Sequence, residues 1–421
     1  MARENHNWFQ RYLLSVQREV RQVVYHPRYI LLLSLGVIFS YVFFLTLMDE
    51  GQPQKLPIAV VDQDGSFLSR RLCHELSATQ GVEVVAVYDN HLQARDAMQR
   101  MRIFAFLEIP KGTYNEVLQF RRPTITIYSN NAYLLGGSFS YKNLATMTKL
   151  ACGAVQREVL RKKGYSEKTI AGLIQPVELD THPIANPTVN YQPYILTTIL
   201  PGIIGLMVLM ITIMMLHYWI KNPYERLRLC EGDLMASIWG KLLPYTVWFS
   251  IIGITGNLVL FGFCHYTLYG SFFVLSIAFV LFILSLQSMA VLLVGLLPDM
   301  HMSITIGAIY GTLSFTMSGF SYPASSMPGG MQLFGYIFPL RHYYLSYVNI
   351  ALFDGTPQQI IFHITVLLLF LVASYLGIFL INRRFSYEGV WHKLMEDASS
   401  EKEEADMPLS QTSTTIEQSL L

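Results

Sequence analysis

The stretch YILTTILPGIIGLMVLMITIMMLHYW, residues 194–219, contains no Asp, Glu, Lys or Arg. It is longer than the run of about 20 apolar residues that an α-helix needs to cross the hydrocarbon core of a bilayer. Five other stretches lack these charged residues and are close to or above that length: residues 30–48, 242–264, 271–297, 302–320 and 360–381. The sequence therefore predicts an integral membrane protein, mostly α-helical, with six transmembrane helices.

Basic residues cluster before the first apolar segment, between the second and third, and after the last. They are Arg3, Arg11, Arg18, Arg21, Arg28, Lys221, Arg226, Arg228, Lys241, Arg383, Arg384 and Lys393. The positive-inside rule makes these regions and both termini cytoplasmic. Residues 49–193 and 321–359 then lie outside. The formal net charge of +1 provides no basic surface for nucleic acid, so we expect no nucleic-acid partner.

Residues 1–29 precede the first segment and predict an amphipathic helix. One helical face carries Trp8, Phe9, Leu13, Val16, Val20, Val23 and Val24, and the opposite face carries Arg and Gln. Such a helix is typical of the membrane interface, here on the cytoplasmic side. Packing of the same face on a soluble partner is the alternative. The long polar start and the lack of a small-residue cleavage site predict that the first span, 30–48, is retained as an anchor.

Residues 49–193 have ordinary charge density and alternate between strand and helix patterns, which predicts a separate extracytoplasmic α/β domain between the first two spans. Asp62 and Asp64 follow its first strand. They could in principle ligate a hard cation, but the rest of a calcium loop is missing, so we expect turn and cap residues. Cys73 and Cys152 share this domain, and the sequence leaves open whether they form a disulfide.

The fifth span contains Gly307 and Gly311 at small-xxx-small spacing, followed by Thr312 and Thr316. This pattern allows close helix contact and interhelical hydrogen bonds. One interpretation places these four residues on the transport pathway or at a dimer interface. Ordinary packing within the chain explains the same pattern equally well.

Residues 321–359 are too apolar and aromatic for a free loop, yet Pro323, Pro328 and Pro339 interrupt them. We expect a re-entrant segment between the fifth and sixth spans, made of two short helices tucked between spans. Its tyrosines are then expected near the interface: Tyr336, Tyr343, Tyr344 and Tyr347. An ordinary surface loop is the alternative.

Several segments together resemble type-2 ABC transporter permeases, in the same order along the chain. They are REVRQVVYHPRYILL, LPIAVVDQDGSFLSRRL, the Ile-Pro of FLEIP, NPTVNYQPYILTTILPGI, GKLLPY, and the stretch from Ser318-Gly319-Phe320 through Pro323, Met327-Pro328 and Phe338-Pro339-Leu340 to Tyr344. The resemblance covers nearly the whole chain except the tail, residues 382–421. That tail mixes acidic residues with Ser, Thr and Gln and is predicted to be largely disordered and cytoplasmic.

The resemblance implies a six-span permease half within residues 194–381 and the first span, paired with a second half that is either another copy or a paralogue. It also implies a separate cytoplasmic ATPase that binds the coupling loop, residues 221–241. The coupling residues would be Glu225, Arg226, Glu231 and Gly232, which only approximate the family's pattern. Gly240-Lys241 is followed by Leu242 and has no upstream glycine at the required distance, so the chain has no phosphate loop. ATP and Mg are expected on the partner, and no cofactor in this chain.

The functional expectation is the permease subunit of an ATP-driven exporter in the bacterial cytoplasmic membrane, moving an amphiphilic or drug-like substrate outward. A periplasmic adaptor protein is a further possible partner. Two other classes remain open: a non-transporting receptor or scaffold whose extracytoplasmic domain binds a partner, and a proton-coupled transporter. The latter is disfavoured because the spans bury no Asp or Glu, and His217 and His363 lie near span ends.

Overall fold

The computed structural model describes residues 8–25, 28–119, 121, 123–176, 180, 182–183, 186, 190–222, 233–353 and 355–387. The chain divides into two compact units. The inserted module comprises residues 48–192, and the membrane unit comprises residues 1–47 and 193–421. The module boundaries differ by one residue from the predicted 49–193.

The helices among the described residues are numbered in chain order. They are α1 (Trp8–Tyr25), α2 (Arg28–Leu47), α3 (Phe67–Ser77), α4 (His91–Gln99), α5 (Thr113–Leu118), α6 (Leu134–Lys162), α7 (Glu167–Ile174), α8 (Tyr191–Lys221), α9 (Leu234–Leu258), α10 (Phe272–Leu296), α11 (Met300–Met317), α12 (Gly329–Gly335), α13 (Pro339–Tyr347), α14 (Pro357–Leu369) and α15 (Leu371–Tyr387). A π-helical turn at Val259–Phe263 extends α9, and α14 and α15 together form one long span.

A four-stranded sheet forms the centre of the inserted module. Its strands are β1 (Leu56–Asp62), β2 (Val82–Tyr88), β3 (Ala105–Ile109) and β4 (Thr126–Ser129), in the order β2-β1-β3-β4. The central strand β1 is parallel to β2 and β3, and β4 is antiparallel to β3. Because β1 is covered on both faces, its apolar run is continuous rather than alternating. The structure thus has the predicted strand and helix alternation.

The turn after β1 is held by its own acidic residues. An Asp62 side-chain oxygen accepts hydrogen bonds from the backbone N–H groups of Asp64 at 3.0 Å and Gly65 at 2.9 Å. The Asp64 carboxylate accepts from the N–H groups of Gly112 at 2.7 Å and Tyr114 at 3.1 Å. Asp62 therefore acts as the predicted turn acceptor, whereas Asp64 joins this turn to the start of α5.

The thiols of Cys73 and Cys152 are free in the structure. The disulfide that the sequence left open is therefore not formed. Both side chains are partly covered, and burial raises the pKa of each thiol; for Cys73 the nearby Asp62 adds to the effect.

Four helices among the described residues of the membrane unit are long and apolar enough to span a bilayer: Tyr191–Lys221, Leu234–Phe263, Phe272–Leu296 and Pro357–Arg384. These correspond to the predicted second, third, fourth and sixth spans. The predicted first span forms α2, whose Ser34–Leu47 part is a shorter apolar helix. The predicted fifth span forms α11, which has 18 residues, many of them Gly, Ser or Thr. All six predicted segments thus form helices, and four of them are long and apolar enough to span a bilayer.

The core of the membrane unit is formed chiefly by α8, α9 and α10, and α13 and α15 pack against these helices. Gly295 in α10 and Gly377 in α15 let two helix backbones touch. A Cβ built on Gly295 would lie 2.5 Å from the carbonyl oxygen of Gly377, and one built on Gly377 would lie 2.6 Å from that of Val291. Neither position has room for a side chain, because the neighbour is backbone and cannot rotate away.

Candidate functional site

The predicted coupling residues Glu225, Arg226, Glu231 and Gly232 lie outside the described residues. The structure does define the helices on either side of them. Helix α8 ends at Lys221, and α9 begins at Leu234 after an Asp233 cap that accepts a hydrogen bond from the N–H of Met235 at 3.0 Å. Residues 234–241 therefore belong to the third span. The predicted loop 221–241 is too long, and the predicted span 242–264 starts about two turns too late.

Helix α1 packs along α9 and has three distinct faces. Ser15 and Glu19 are buried on one face. A second face leaves large apolar side chains exposed, namely Trp8, Phe9, Leu13, Val20 and Val24. The arginines Arg18 and Arg21 are exposed on the third. The predicted amphipathic helix is present, and its contact with the rest of the chain combines buried Ser15 and Glu19 with Val23, which packs against the core.

A buried ionic cluster fastens α1 to α9. One Glu19 oxygen accepts a hydrogen bond from the Tyr245 hydroxyl at 2.8 Å, and the other lies 3.7 Å from Lys241 Nζ. The side chains of Glu19 and Lys241 are only 2% and 9% exposed. Lys241 Nζ also lies 4.6 Å from the centre of the Trp219 ring at the end of α8. The cluster therefore joins α1, α8 and α9 near the N-terminal end of α9, which follows the coupling loop.

Two closer contacts fix the position of α1 on α9. The Ser15 hydroxyl donates a hydrogen bond to the Ser237 carbonyl at 2.9 Å. A Cβ on Gly240 would lie 2.8 Å from the Tyr12 carbonyl oxygen, so only glycine allows this approach. Sequence reasoning missed this site, although a signal was present. Ser15 and Glu19 are four residues apart, as are Ser237, Lys241 and Tyr245, so each set lies on one helical face.

The glycines of the predicted fifth span contact the second span of the same chain. A Cβ on Gly307 would meet Ile213 and Met210 of α8, and one on Gly311 would meet Leu206. Both glycines are buried in this contact. The structure thus places them in intrachain packing, which was the alternative interpretation.

The other two residues of the predicted motif, Thr312 and Thr316, are exposed on the opposite side of α11. They share that face with exposed Met302 and Ile309. The face combines hydroxyl and apolar groups, and it is the side of α11 that is free to meet a second chain or a substrate. The pathway or interface prediction stays a prediction for these two threonines.

A buried hydrogen bond joins the C-terminal part of α8 to the first turn of α11. His217 Nε2 lies 2.9 Å from the Ser303 hydroxyl. Ser303 also donates to the carbonyl of Asp299, the residue that caps α11. Because His217 is buried, separating α8 from α11 at this end would remove the hydrogen-bond partner of its Nε2 atom, whereas Ser303 would keep its bond to Asp299.

The segment after α11 folds into short helical pieces, and each predicted proline begins one. Pro323 precedes a 3-10 turn at Ala324–Ser326, Pro328 caps α12, and Pro339 is the first residue of α13. Helix α13 packs against α10, α11 and α14. The expectation of short helices tucked between spans agrees with this arrangement, and an ordinary surface loop does not.

The tyrosines of this segment differ in burial. Tyr343 packs on Phe279 and Phe282 of α10 and is fully buried, and Tyr347 is buried beside Phe261. Their rings fill the protein core, and the expectation that these two lie near the membrane interface stays a prediction. Tyr336 is more exposed. Sequence reasoning also passed over Arg341, which is 5% exposed and lies among these rings.

Among the described residues, no group of three or more His, Cys, Asp or Glu side chains is placed to hold a metal ion. The described residues contain apolar helices long enough to span a bilayer, short helical pieces between α11 and α14, a helix α1 fastened to α9, and an inserted α/β module. The apolar helices indicate a membrane-embedded protein.

A comparison with protein families identifies the family of the chain. The family model described as "ABC-2 family transporter protein" matches residues 28–380. The chain belongs to this family. Members are generally non-catalytic membrane subunits that pair with an ATPase subunit. A comparison with curated proteins gives no match.

Proposed function

We propose that the chain is the permease subunit of an ATP-driven exporter in a bacterial cytoplasmic membrane. It moves an amphiphilic or drug-like substrate outward, with both termini in the cytoplasm. A separate ATPase binds ATP and Mg and supplies the energy through the loop before α9. A second permease half, either another copy or a paralogue, completes the pathway, and the inserted module is the surface available to a periplasmic adaptor.

The observation that carries this proposal is the ionic cluster between α1 and α9. The coupling loop ends at Asp233, and Lys241 lies eight residues further along the helix, at a rise of about 12 Å. A push on the loop would act directly on the end of α9. Since Glu19 and Tyr245 hold α1 to this end, α1 and α9 would move as one body.

The contact between α8 and α11 supports the pathway part of the proposal. Gly307, Gly311 and the His217–Ser303 hydrogen bond hold the two helices together. The exposed face with Thr312 and Thr316 is then directed away from α8. A face of mixed hydroxyl and apolar groups suits an amphiphilic substrate between two halves, whereas a highly charged substrate would find no counter-ion on it.

The test of coupling uses the loop itself. The tagged chain is purified from its native membranes and tested for a bound P-loop ATPase, for ATP hydrolysis and for export. Glu231→Lys reverses a charge at the proposed contact, and Gly232→Pro distorts its backbone. At matched expression both variants should lose substrate-stimulated hydrolysis and export together. Glu167→Lys, an exposed charge reversal in the inserted module, is the matched control and should change neither.

Two outcomes would contradict the proposal. Unaltered export in both loop variants would show that energy enters elsewhere. A chain that co-purifies with no ATPase, while its module binds a partner, would favour a receptor or scaffold. Transport that survives ATP depletion but needs a proton gradient would favour a proton-coupled carrier.

The proposed orientation has an independent test. A cysteine placed at Asn130 in the module should react with a membrane-impermeant thiol reagent added outside intact cells. One placed at Asn222, directly after α8, should react only after the membrane is permeabilised. The reverse pattern would remove the coupling role from the loop that follows Asn222.

A further inference from the structure

Arg341 is a buried cation without a carboxylate partner among the described residues. Its side chain folds back against Gly335, where an added Cβ would lie 2.0 Å from Nη1, and over the ring of Tyr336, with Cζ 5.2 Å from the ring centre. Nη1 is fully buried and has no hydrogen-bond partner in the described part of the chain. The guanidinium is thus held beside an aromatic ring, with one N–H group left to bind something else.

Carboxylates are scarce in the membrane unit. Its described residues include only Glu19, Asp233 and Asp299. Glu19 is bound to Lys241 and Tyr245, and Asp233 and Asp299 cap the first turns of α9 and α11. The starts of α9 and α11 lie at the same end of the membrane unit as the coupling loop.

Arg341 lies far from that end. Tyr310, about 15 Å along α11 from its first residue, donates a hydrogen bond to the Ile337 carbonyl and packs on Phe338. The start of α13 is therefore beside the middle of α11, at membrane depth. A charge there is costly, and such residues mark substrate or ion pathways.

The surroundings of Arg341 favour an anion. Helix α13 begins at Pro339 and has no side-chain cap, so the positive end of its dipole is unopposed by an acidic residue. His342, fully buried, does not compete for the site. Its Nε2 is 3.1 Å from the Tyr336 carbonyl, which fixes the proton on Nε2, and its Nδ1 is 3.3 Å from His363 Nδ1. The histidine pair therefore holds the start of α13 in place.

An apolar surface adjoins this cation. Leu333, Phe334 and Ile337, from α12 and the turn before α13, are exposed, as is Phe362 of α14 beside Tyr336. A ligand with an anionic group at Arg341 would lay its apolar part on these side chains. Lipid also favours apolar surfaces, but lipid alone leaves the guanidinium N–H unbound.

We infer that Arg341, at the uncapped start of α13, binds the anionic headgroup, a phosphate or carboxylate, of an amphiphile whose apolar part lies along Leu333, Phe334 and Ile337. The inference rests on the proposed function in one respect, since it makes an anionic amphiphile the exported cargo. The binding site itself requires no ATPase.

The test measures binding of radiolabelled decyl phosphate to the purified full-length chain in phosphatidylcholine nanodiscs, without ATP or partner. The wild-type chain should bind it, and Arg341→Gln should weaken binding at least tenfold, the loss expected for one charge-assisted contact. Arg341→Lys keeps the charge but not the planar guanidinium, so its affinity for decyl phosphate should lie between those of the wild type and Arg341→Gln. Arg18→Gln, at an exposed arginine of α1, is the matched control and should bind as the wild type does.

Competition experiments test which chemical features of the ligand are needed for binding. Decanoate should compete and decyltrimethylammonium should not. Inorganic phosphate that competes as strongly as decyl phosphate would overturn the amphiphile assignment, because the apolar part would then add nothing. Equal affinity in wild type and Arg341→Gln would overturn the site.

A variant of Asp354, a residue outside the described part of the chain, provides a further test of the site. If decyl phosphate bound only to Asp354→Asn, Arg341 would be neutralised within the chain and the inference would be wrong. Size-exclusion elution and helical circular dichroism verify that each variant is folded. Failure of the ATPase to co-purify would defeat the proposed function and leave these binding results unchanged.

Discussion

Neutralising Glu19 should release α1 from α9. In Glu19→Gln the amide oxygen still accepts from Tyr245, but Lys241 loses the carboxylate that lies 3.7 Å from its Nζ. Removing one partner of a buried ion pair costs about 3–5 kcal/mol. We expect the lower value, about 3 kcal/mol, because the shape and one hydrogen bond are kept. When α1 separates from α9, the Lys241 ammonium becomes hydrated. The free-energy cost in the packed state therefore shifts the equilibrium toward the state in which α1 is separated from α9.

The second variant, Lys241→Met, tests whether charge or packing is responsible. Methionine keeps the length of the side chain and an apolar contact with Trp219. Alone it removes the ammonium beside buried Glu19 and should loosen α1 by a similar amount. In the double variant with Glu19→Gln both charges of this pair are removed, so the opening equilibrium should return to within about tenfold of the parent.

Opening of α1 is measured as the labelling rate of a cysteine at Ser15, whose hydroxyl is buried against Ser237. The background is a chain in which the four native cysteines are replaced by serine. When closing is faster than labelling, the rate reports the open fraction. Three kcal/mol corresponds to about a 100-fold faster rate in Glu19→Gln. Arg18→Gln, an exposed charge on the same helix, should change nothing.

Two results would refute this reasoning. The first is a single variant that labels within about threefold of the parent, since the ion pair would then not hold α1. The second is a double variant that labels as fast as the faster single variant, because packing loss rather than an unpaired charge would then explain the effect.

Three further predictions concern other parts of the chain. Burial raises the pKa of the Asp64 carboxyl, but hydrogen bonds from Ser66 and from backbone amides together lower it below its usual value. Its contribution to stability is therefore present above the unfolded pKa of about 3.9 and is lost as pH falls through the lower folded pKa. Asp64→Asn should remove this pH dependence in hydrogen exchange of the module. Cys73 and Cys152 should alkylate slowly when folded, and both should react in denaturant without reductant; a mass consistent with a disulfide would contradict this. Gly377→Leu should lower the temperature at which the detergent-solubilised chain aggregates, because the new side chain meets backbone, whereas Gly262→Leu, which meets open space, should not.

The sequence predicted the strands of the module because β1 and β3 carry continuous apolar runs that only a covered strand explains. It also predicted the helical pieces after α11, because prolines mark their starts. The start of the third span was missed because Gly240 and Lys241 look like loop residues. Lys241 is tolerated inside the helix because the carboxylate of Glu19, more than 200 positions earlier in the sequence, lies beside it.

Arg341 was missed for a related reason. Arg341 lies in the segment between two predicted spans, so it does not stand out as a charge within an apolar stretch. Its burial depends on the packing of α13 against three helices, which no local pattern reveals. Likewise, the spacing of Gly307 and Gly311 indicated a close helix contact but not which helix makes it.

The most direct test of the central claim is ATP-driven transport by the purified complex of this chain and its ATPase in sealed proteoliposomes. With the ATPase facing the bath, ATP should drive a fluorescent anionic amphiphile into the vesicle interior, and replacing the phosphate-loop lysine of the ATPase should stop it. Transport that continues without ATP hydrolysis, or hydrolysis that never moves an amphiphile, would contradict the account.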